Sequence, residues 1–407
     1  MHGVTLAGGS ESEQAGPVHS SHVRTEKKNE EIETLRAVAI TIVAFQHSFN
    51  YLTVWQPAWA ATIGSYFNLG QAGVDLFFAI SGYVIARSFL PGLLAASSFE
   101  AAWREVVAFW IKRIYRLWPT VLLWVIADIV LATAFNRSGA FGPIKETIVG
   151  GVSALAQIMN FHHGYCAQGF CFSNPVYPLG PLWSLSLEEQ FYACFPLLVL
   201  TLWSYKKLDR LLPLLALIAF IQLFLTRPDG SLLLYVRTDA LCGGVMVYLL
   251  SSWEGLRMFR EPLAAAKWTT KAVTIGVLFA ILTMITGRAV SFNAGISAIA
   301  SVAIVTIAHF EAGWFGPSQN ERVRKVVLWI AARSYSIYVI HCIAIAFVVE
   351  LWWRLTGGAT PTGSATAKFY LSWIVILALA AEANWRLVEV PLRVRGRALA
   401  SKWTRSE

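Results

Sequence analysis

The chain has 407 residues, of which 56% are hydrophobic and only 14% are charged, and it contains 17 tryptophans. With a mean hydropathy of +0.54, it is too apolar for a soluble domain and too long for a single membrane span. Its apolar runs do not alternate with polar residues, which favours membrane helices over the strands of a β-barrel. The net charge of +9 is spread over clusters between these runs, as the positive-inside rule predicts, and indicates no nucleic-acid partner.

These runs predict an all-α integral membrane protein, a polytopic bundle of about ten transmembrane helices with both termini in the cytoplasm. We expect it in the bacterial inner (cytoplasmic) membrane. Residues 1–34 are polar and are expected to form a disordered cytoplasmic tail, residues 35–391 the membrane domain, and residues 392–407 a basic cytoplasmic tail. The predicted spans are 36–55, 69–88, 117–135, 183–203, 211–226, 232–251, 272–287, 291–309, 327–351 and 368–388.

The segment 136–182 is expected on the outer side of the membrane. Residues 144–160 within it are moderately apolar, but counting them as a span would invert the charge rule downstream. They are therefore predicted to form a re-entrant or interfacial helix. Cys166 and Cys171 lie in the same segment, where an oxidising periplasm would allow them to close a small disulfide loop. Two unrelated free thiols are the alternative.

The first predicted span contains an arginine and a histidine. Arg36 and His47 are eleven residues apart, and this spacing puts both side chains on one helix face, about 16 Å apart along the axis. An ionisable residue inside the membrane is a functional candidate by default. Taken alone, His47 is equally compatible with a hydrogen-bonded packing role, and Arg36 with an anchor at the cytoplasmic surface.

The second and third spans add further polar side chains. Asp75 lies in the second span at about the depth of His47, among glycines that permit close helix contact. Arg113 and Arg116 are three residues apart on one helix face, just before Pro119 and the third span. They form a cytoplasmic arginine fork suited to phosphate groups, with an ordinary helix-start anchor as the alternative.

The fourth span opens with a polar stripe. Ser184, Glu188 and Tyr192, which follow Trp183, recur at four-residue spacing and share one helix face. An interfacial acid near the lipid headgroups is the alternative interpretation of Glu188.

Three more polar residues lie in the outer parts of later spans. Arg237 and Asp239 are interpreted as a structural pair, and His341 as a hydrogen-bonded polar residue. Together with the residues of the earlier spans, they predict a polar cavity that opens outward.

These motifs together resemble bacterial membrane acyltransferase family 3, whose members transfer acyl groups, usually acetyl, to sugars and other hydroxyl acceptors of the cell envelope. The resemblance rests on an Arg-x10-His motif (Arg36, His47), GVDLFFAISGY at 73–83, an Arg-x-x-Arg motif followed by Pro119, WSLSLEEQFY at 183–192, SYSIYVIH at 334–341 and EVP at 389–391.

The resemblance implies an acyl-CoA donor, most often acetyl-CoA, on the cytoplasmic side. Arg36, Arg113 and Arg116 would then hold its phosphates. His47 would act as general base or as acyl carrier.

Either Asp75 or Glu188 would orient the imidazole of the membrane histidine. The residues Trp183, Ser184, Tyr192, Arg237, Asp239 and His341 are assigned to the acceptor side or to structural polar contacts.

The expected partners are the lipid bilayer, the coenzyme A thioester and a carbohydrate or lipid-linked sugar acceptor. No metal is expected, because the candidate residues lack a recognisable ligand spacing. A transporter or flippase for a polar envelope substrate is the alternative function.

Overall fold

The computed structural model describes residues 28–53, 69–166, 168, 178–225, 227, 231–284, 293–316 and 320–405. Every regular element in these ranges is helical, which confirms the predicted all-α class. The helices are α1 (Glu30–Leu52), α2 (Leu69–Leu94), α3 (Phe99–Ala134), α4 (Ile144–Leu155), α5 (Met159–Tyr165), α6 (Leu182–Ser204), α7 (Leu211–Leu223), α8 (Leu232–Tyr235), α9 (Asp239–Leu250), α10 (Glu254–Arg257), α11 (Arg260–Ala265), α12 (Trp268–Met284), α13 (Asn293–His309), α14 (Glu321–Leu355), α15 (Ala365–Asn384) and α16 (Val390–Arg405).

Six helical stretches in the described ranges are long and apolar enough to cross a membrane, so the chain is a multi-pass membrane protein. They are α2, α3, α6, α8 with α9, α14, and α15 with α16. A seventh forms if α10–α11 and α12, which meet at 119°, count as one bent span. The predicted count of about ten is not confirmed. Helix α1 begins with three acidic residues in its first turn, and α7 and α13 have only 13 and 17 residues.

The centre of the bundle is α2, which packs against α1, α9 and α13, while α1 also packs along α14. Two glycines allow α2 and α9 to approach closely. A Cβ added to Gly82 would lie 2.0 Å from the carbonyl oxygen of Leu241, and one added to Gly244 would lie 2.0 Å from that of Ala79. The close packing of α2 and α9 therefore requires small residues where the two helices cross.

The third predicted span begins much earlier than expected. Helix α3 runs for 36 residues and includes Pro119 in its interior. Arg113 and Arg116 consequently lie inside a continuous helix and not just before its start. Proline is tolerated within a membrane helix because neighbouring groups can satisfy the backbone carbonyls that it leaves free.

Both ends of the described chain are more helical than expected. Helix α1 begins at Glu30 and is capped by Asn29, whose side-chain oxygen accepts from the backbone N–H of Ile32 at 3.0 Å. Part of the predicted tail of 1–34 is thus helical, and residues 1–27 lie outside the described residues. At the other end, α16 continues α15 through a π-helical turn and packs along α3, so the predicted tail of 392–407 is helical up to Arg405.

The segment 136–182, which is expected on the outer side, contains a helix that is too short to span a membrane. Helix α4 has 12 residues, which corresponds to about 18 Å against a hydrocarbon core of about 30 Å. It packs against α3. This length fits a re-entrant or interfacial helix, and the choice between the two stays a prediction. Cys166 is disulfide-bonded, but Cys171 lies outside the described residues, so their pairing also stays a prediction.

Candidate active site

A cavity lies between α1, α2, α3, α6 and α14. We call it the arginine cavity, because the three arginines assigned to the donor all line it. The charged and hydroxyl-bearing residues of its lining are Arg36, Ser81, Arg113, Arg116, Ser184, Glu188, Tyr192, Ser334, Tyr335 and Tyr338. The structure thus brings together an arginine of α1 and two arginines of α3 that are far apart in the sequence.

Two of these arginines form no salt bridge in the described part of the chain. No carboxylate of the described residues forms a salt bridge with Arg113 or Arg116, whereas Arg36 is paired with Glu33 at 2.8 Å. The guanidinium of Arg113 lies 5.0 Å from the ring centroid of Tyr192. The Nε atom of Arg116 is buried without a hydrogen-bond partner in the described part of the chain. Glu188 and Glu189 attract these arginines through space without bonding to them, so the guanidinium N–H groups are available to an anionic ligand in the cavity.

The predicted stripe on α6 faces this cavity. The Tyr192 hydroxyl donates to Oε2 of Glu188 at 2.9 Å, and the Ser81 hydroxyl donates to Oε1 at 2.9 Å. Ser184 completes the stripe one turn earlier. Glu188 is therefore held by two hydroxyl groups on the cavity wall and makes no contact with His47, so the expectation that it orients the imidazole is not met.

The histidine of the first span is in contact with a second histidine. Nδ1 of His47 lies 3.2 Å from Nε2 of His341 and 3.0 Å from the carbonyl oxygen of Val43. His341 is fully buried, and its Nδ1 lies 2.7 Å from the carbonyl oxygen of Tyr338. We call His47 and His341 the histidine pair. The sequence indicated a hydrogen-bonded His341 but gave no signal for this partner.

The other candidate carboxylates belong to a separate cluster of ion pairs. Oδ1 of Asp75 lies 2.8 Å from Nη2 of Arg237. Asp239 is paired with Arg227 at 2.8 Å, so the expected pair of Arg237 and Asp239 is wrong. Asp75 does not contact His47 either, and the orienting role predicted for it is not what the structure shows. None of these four residues lines the arginine cavity.

Trp183 belongs to the ion-pair cluster and not to the cavity. Its ring packs edge-on against Phe78 and Tyr235, with centroid distances of 6.2 and 5.1 Å. The guanidinium of Arg237 lies 5.6 Å from the ring centroid. These contacts assign Trp183 a packing role beside a buried cation.

One tyrosine joins the arginine cavity to the histidine pair. Tyr338 lines the cavity, and its hydroxyl lies 2.7 Å from that of Ser184 and donates to the carbonyl oxygen of Pro181. Its ring centroid is 5.7 Å from that of His341. His47 and His341 are not among the residues that line the cavity, and Tyr338 is the lining residue whose ring packs against His341.

Two buried residues near the histidine pair were missed by the sequence analysis. The Cys342 sulfur and nitrogen atoms of both histidines lie within 4.8 Å of one another, and these are donor types that can bind a metal ion. The expected absence of a metal stays a prediction. Asp128 of α3 is fully buried, and neither of its carboxylate oxygens has a hydrogen-bond partner among the described residues. The sequence signal that could have identified Asp128 is an acidic residue within the apolar run VIADIVLA.

Comparison with known proteins places this site in a family. Residues 29–381 match the family model described as an acyltransferase domain, Acyl_transf_3. The chain belongs to this acyltransferase family. This confirms the resemblance found in the sequence motifs. No solved structure matches the chain.

The curated relatives carry related names. Over 349 residues the chain is 28% identical to "O-acetyltransferase OatA" of Staphylococcus aureus, an alignment that covers 80% of this chain and 53% of that protein. Over 385 residues it is 26% identical to "Putative peptidoglycan O-acetyltransferase YrhL" of Bacillus subtilis, with 90% of this chain and 55% of that protein covered. The chain spans about half the length of these relatives.

Proposed function

We propose that this protein is an inner-membrane O-acyltransferase that moves an acetyl group from cytoplasmic acetyl-CoA to a hydroxyl group of an envelope carbohydrate or lipid-linked sugar. The observation that carries this proposal is the pair Arg113 and Arg116 on the wall of one cavity, two arginines that form no salt bridge with a carboxylate of the described residues. Membership of the acyltransferase family and the names of the relatives support the reaction type.

The arginine cavity supplies the chemistry that a coenzyme A thioester needs. Coenzyme A carries several phosphate groups, and guanidinium groups bind phosphate through short, charge-assisted and often bidentate hydrogen bonds. Arg36 adds a third guanidinium from α1. Arg36 and His47 lie three turns apart on one continuous helix. A pantetheine arm whose phosphate end is bound by the arginines would span the distance from Arg36 to His47.

His47 is the residue that we assign to proton transfer. In the direct route, it removes the proton of the acceptor hydroxyl while the hydroxyl oxygen attacks the thioester carbonyl, and the coenzyme A thiolate leaves and takes up the proton. In the second route, His47 itself attacks the thioester, releases coenzyme A, and passes the acyl group to the acceptor oxygen. Both routes convert an acyl thioester and an alcohol into an ester and a thiol.

The proposal is tested with purified protein in liposomes supplied with an envelope glycan fraction and with acetyl-CoA that is radiolabelled in the acetyl group. We expect the label to appear in the glycan fraction, and free coenzyme A to form in equal amount. The Arg113→Ala/Arg116→Ala double variant is the control and should form neither product. A transporter or flippase would leave the glycans unlabelled, and that outcome would overturn the proposal.

The acceptor is identified in cells. A deletion strain should lack an O-acetyl group on one class of envelope glycan. Mass spectrometry should show this as a loss of about 42 Da per site, because an acetyl group in place of a hydroxyl hydrogen adds roughly one C2H2O unit. Restoring the wild-type gene should restore the group. Envelope glycans unchanged in mass would exclude the proposed class of acceptor.

A further inference from the structure

We propose that His341 is a positioning residue that holds His47 in the tautomer with its proton on Nδ1, so that the lone pair of Nε2 is available for the reaction. This inference rests on the proposed function of His47. It is carried by the hydrogen-bond pattern of the histidine pair and not by the family.

The tautomer of His341 follows from its own partner. Its Nδ1 lies 2.7 Å from the carbonyl oxygen of Tyr338. A carbonyl oxygen only accepts hydrogen bonds, so this Nδ1 carries a proton. The neutral imidazole then has its lone pair on Nε2, and this is the atom that faces His47.

The tautomer of His47 follows from two acceptors at one atom. Its Nδ1 lies 3.0 Å from the carbonyl oxygen of Val43 and 3.2 Å from Nε2 of His341. Because both neighbours present lone pairs, the arrangement is favourable only when Nδ1 of His47 carries the proton. Nε2 of His47 has no hydrogen-bond partner among the described residues, and it is left with a free lone pair.

His341 is itself held in place from several sides. Its side chain is fully buried, and its backbone carbonyl accepts from Nε1 of Trp373 at 3.1 Å. Tyr338, whose backbone carbonyl oxygen accepts the hydrogen bond from Nδ1–H of His341, is fixed through its hydroxyl to Ser184 and Pro181 at the start of α6. His47 is only half-buried. The fixed ring of the pair therefore orients the more accessible one.

This arrangement serves both routes of the reaction. In the direct route, Nε2 of His47 takes the proton of the acceptor hydroxyl, while Nδ1–H keeps donating to Val43 and His341. No proton passes to His341, and the proton leaves Nε2 with the coenzyme A thiolate. In the acyl-carrier route, the same Nε2 lone pair is the nucleophile. The opposite tautomer would place a proton on Nε2 and block either step, as a wrong tautomer does in hydrolytic triads.

The first test compares two substitutions of His341. His341→Leu removes the acceptor, whereas His341→Gln can still present an amide oxygen to Nδ1 of His47. We expect kcat to fall about 10- to 100-fold in His341→Leu, by analogy with the loss of a partner that orients a metal-ligating histidine. The KM for acetyl-CoA should stay within about twofold, because the arginines are untouched. His341→Gln should keep more of kcat than His341→Leu. Equal kcat in both variants and wild type would overturn the proposal.

The second test reads the tautomer directly. In protein labelled with 15N-histidine, the His47 signals are identified by their loss in His47→Gln. We expect Nδ1 of His47 to be protonated and Nε2 unprotonated in the wild type, and a mixture of tautomers in His341→Leu. A wild-type His47 that carries its proton on Nε2 would overturn the proposal even if His341→Leu does not fold.

The two proposals fail in different ways. If His47→Gln retains full turnover, the role of His47 in the proposed function is wrong. If His47→Gln is inactive while His341→Leu has wild-type kcat and an unchanged tautomer, only the positioning role of His341 is wrong.

Discussion

Nδ1 of His47 and Nε2 of His341 lie 3.2 Å apart although 294 positions of the chain separate them. Packing of α1 along α14 creates this contact. The same two helices also contribute Arg36 and Tyr338 to the arginine cavity. The proposed donor site and the proposed reactive histidine are thus joined by one pair of helices from opposite ends of the chain.

The first prediction concerns donor binding. Replacing Arg113 or Arg116 by Ala should raise the KM for acetyl-CoA, because each change removes charge-assisted contacts to phosphate worth about 1.5–3 kcal/mol. Steady-state kinetics at varied acetyl-CoA concentration give the measurement. Lys112→Ala is the matched control, since this neighbouring side chain of α3 is exposed and does not line the cavity.

Donor kinetics equal to wild type in both arginine variants would exclude these residues from the donor site. A loss of folded protein would be recognised by size-exclusion chromatography before kinetics are measured. Only variants that elute like the wild type and the Lys112→Ala control enter the comparison.

Features that depend on neighbours along one helix could be predicted from the sequence. The Ser184, Glu188 and Tyr192 stripe lies on one wall because the helical period fixes the direction of side chains four residues apart. The spacing of Arg113 and Arg116 predicted a shared face for the same reason. These inferences needed no knowledge of how the helices pack.

Contacts between helices could not be predicted in the same way. Arg237 and Asp239 are two positions apart in the sequence and were expected to pair, but their actual partners are Asp75 of α2 and Arg227, respectively. Pro119 was interpreted as a mark of a helix start, because proline is favoured there, whereas in a membrane helix it is also accepted inside. Such cases are decided by how the helices pack against one another, and a single sequence does not show this packing.

The second prediction concerns the crossing of α2 and α9. Gly244→Ala places a methyl group 2.0 Å from the carbonyl oxygen of Ala79, which is backbone and cannot rotate away. We expect the folded yield in detergent to fall severely. Gly276→Ala is the matched control, because a Cβ at this helical position meets no atom within 4 Å. It should be tolerated, with a change in stability of at most about 1 kcal/mol. Equal yields would contradict the close crossing.

The third prediction concerns the buried ion pair of Asp75 and Arg237. Arg237→Met should lower the free energy of unfolding by about 3–5 kcal/mol, because it leaves a buried carboxylate without its counter-charge. Adding Asp75→Leu should restore a large part of this loss, since both members of the pair are then uncharged while Arg227 and Asp239 still pair with each other. Thermal unfolding of the purified variants provides the measurement.

A surface pair provides the control for the buried one. Lys325 is 74% exposed beside Glu321, and Lys325→Met should cost less than about 1 kcal/mol. If Arg237→Met costs no more than this control, the buried pair does not stabilise the fold. If the double variant is less stable than Arg237→Met, the explanation by an unpaired charge is wrong.

The fourth prediction concerns orientation in the membrane. In protein that lacks the exposed Cys194, a thiol reagent that cannot cross membranes should label Ser364→Cys from outside. It should not label Ser97→Cys or Ser401→Cys until the cells are permeabilised. All three positions are exposed in the structure, so the difference would report the side of the membrane. Labelling of Ser97→Cys in intact cells would reverse the orientation and move the arginine cavity away from cytoplasmic acetyl-CoA.

The last prediction separates a reactive His47 from a packing residue. His47→Gln keeps a polar side chain of similar size that can still bond to Val43 and His341, so expression and thermal stability should match the wild type. Acyl transfer should be lost, because glutamine neither accepts the proton nor carries an acyl group. Acetyl-CoA binding should survive, since Arg36 lies about three turns away along α1 and Arg113 and Arg116 lie on another helix, α3. Donor affinity and product formation are measured on the same preparation.

Turnover within about tenfold of wild type would mean that His47 contributes less than about 1.4 kcal/mol to the transition state, too little for a general base. A loss of stability with unchanged turnover per folded molecule would identify His47 as a packing residue.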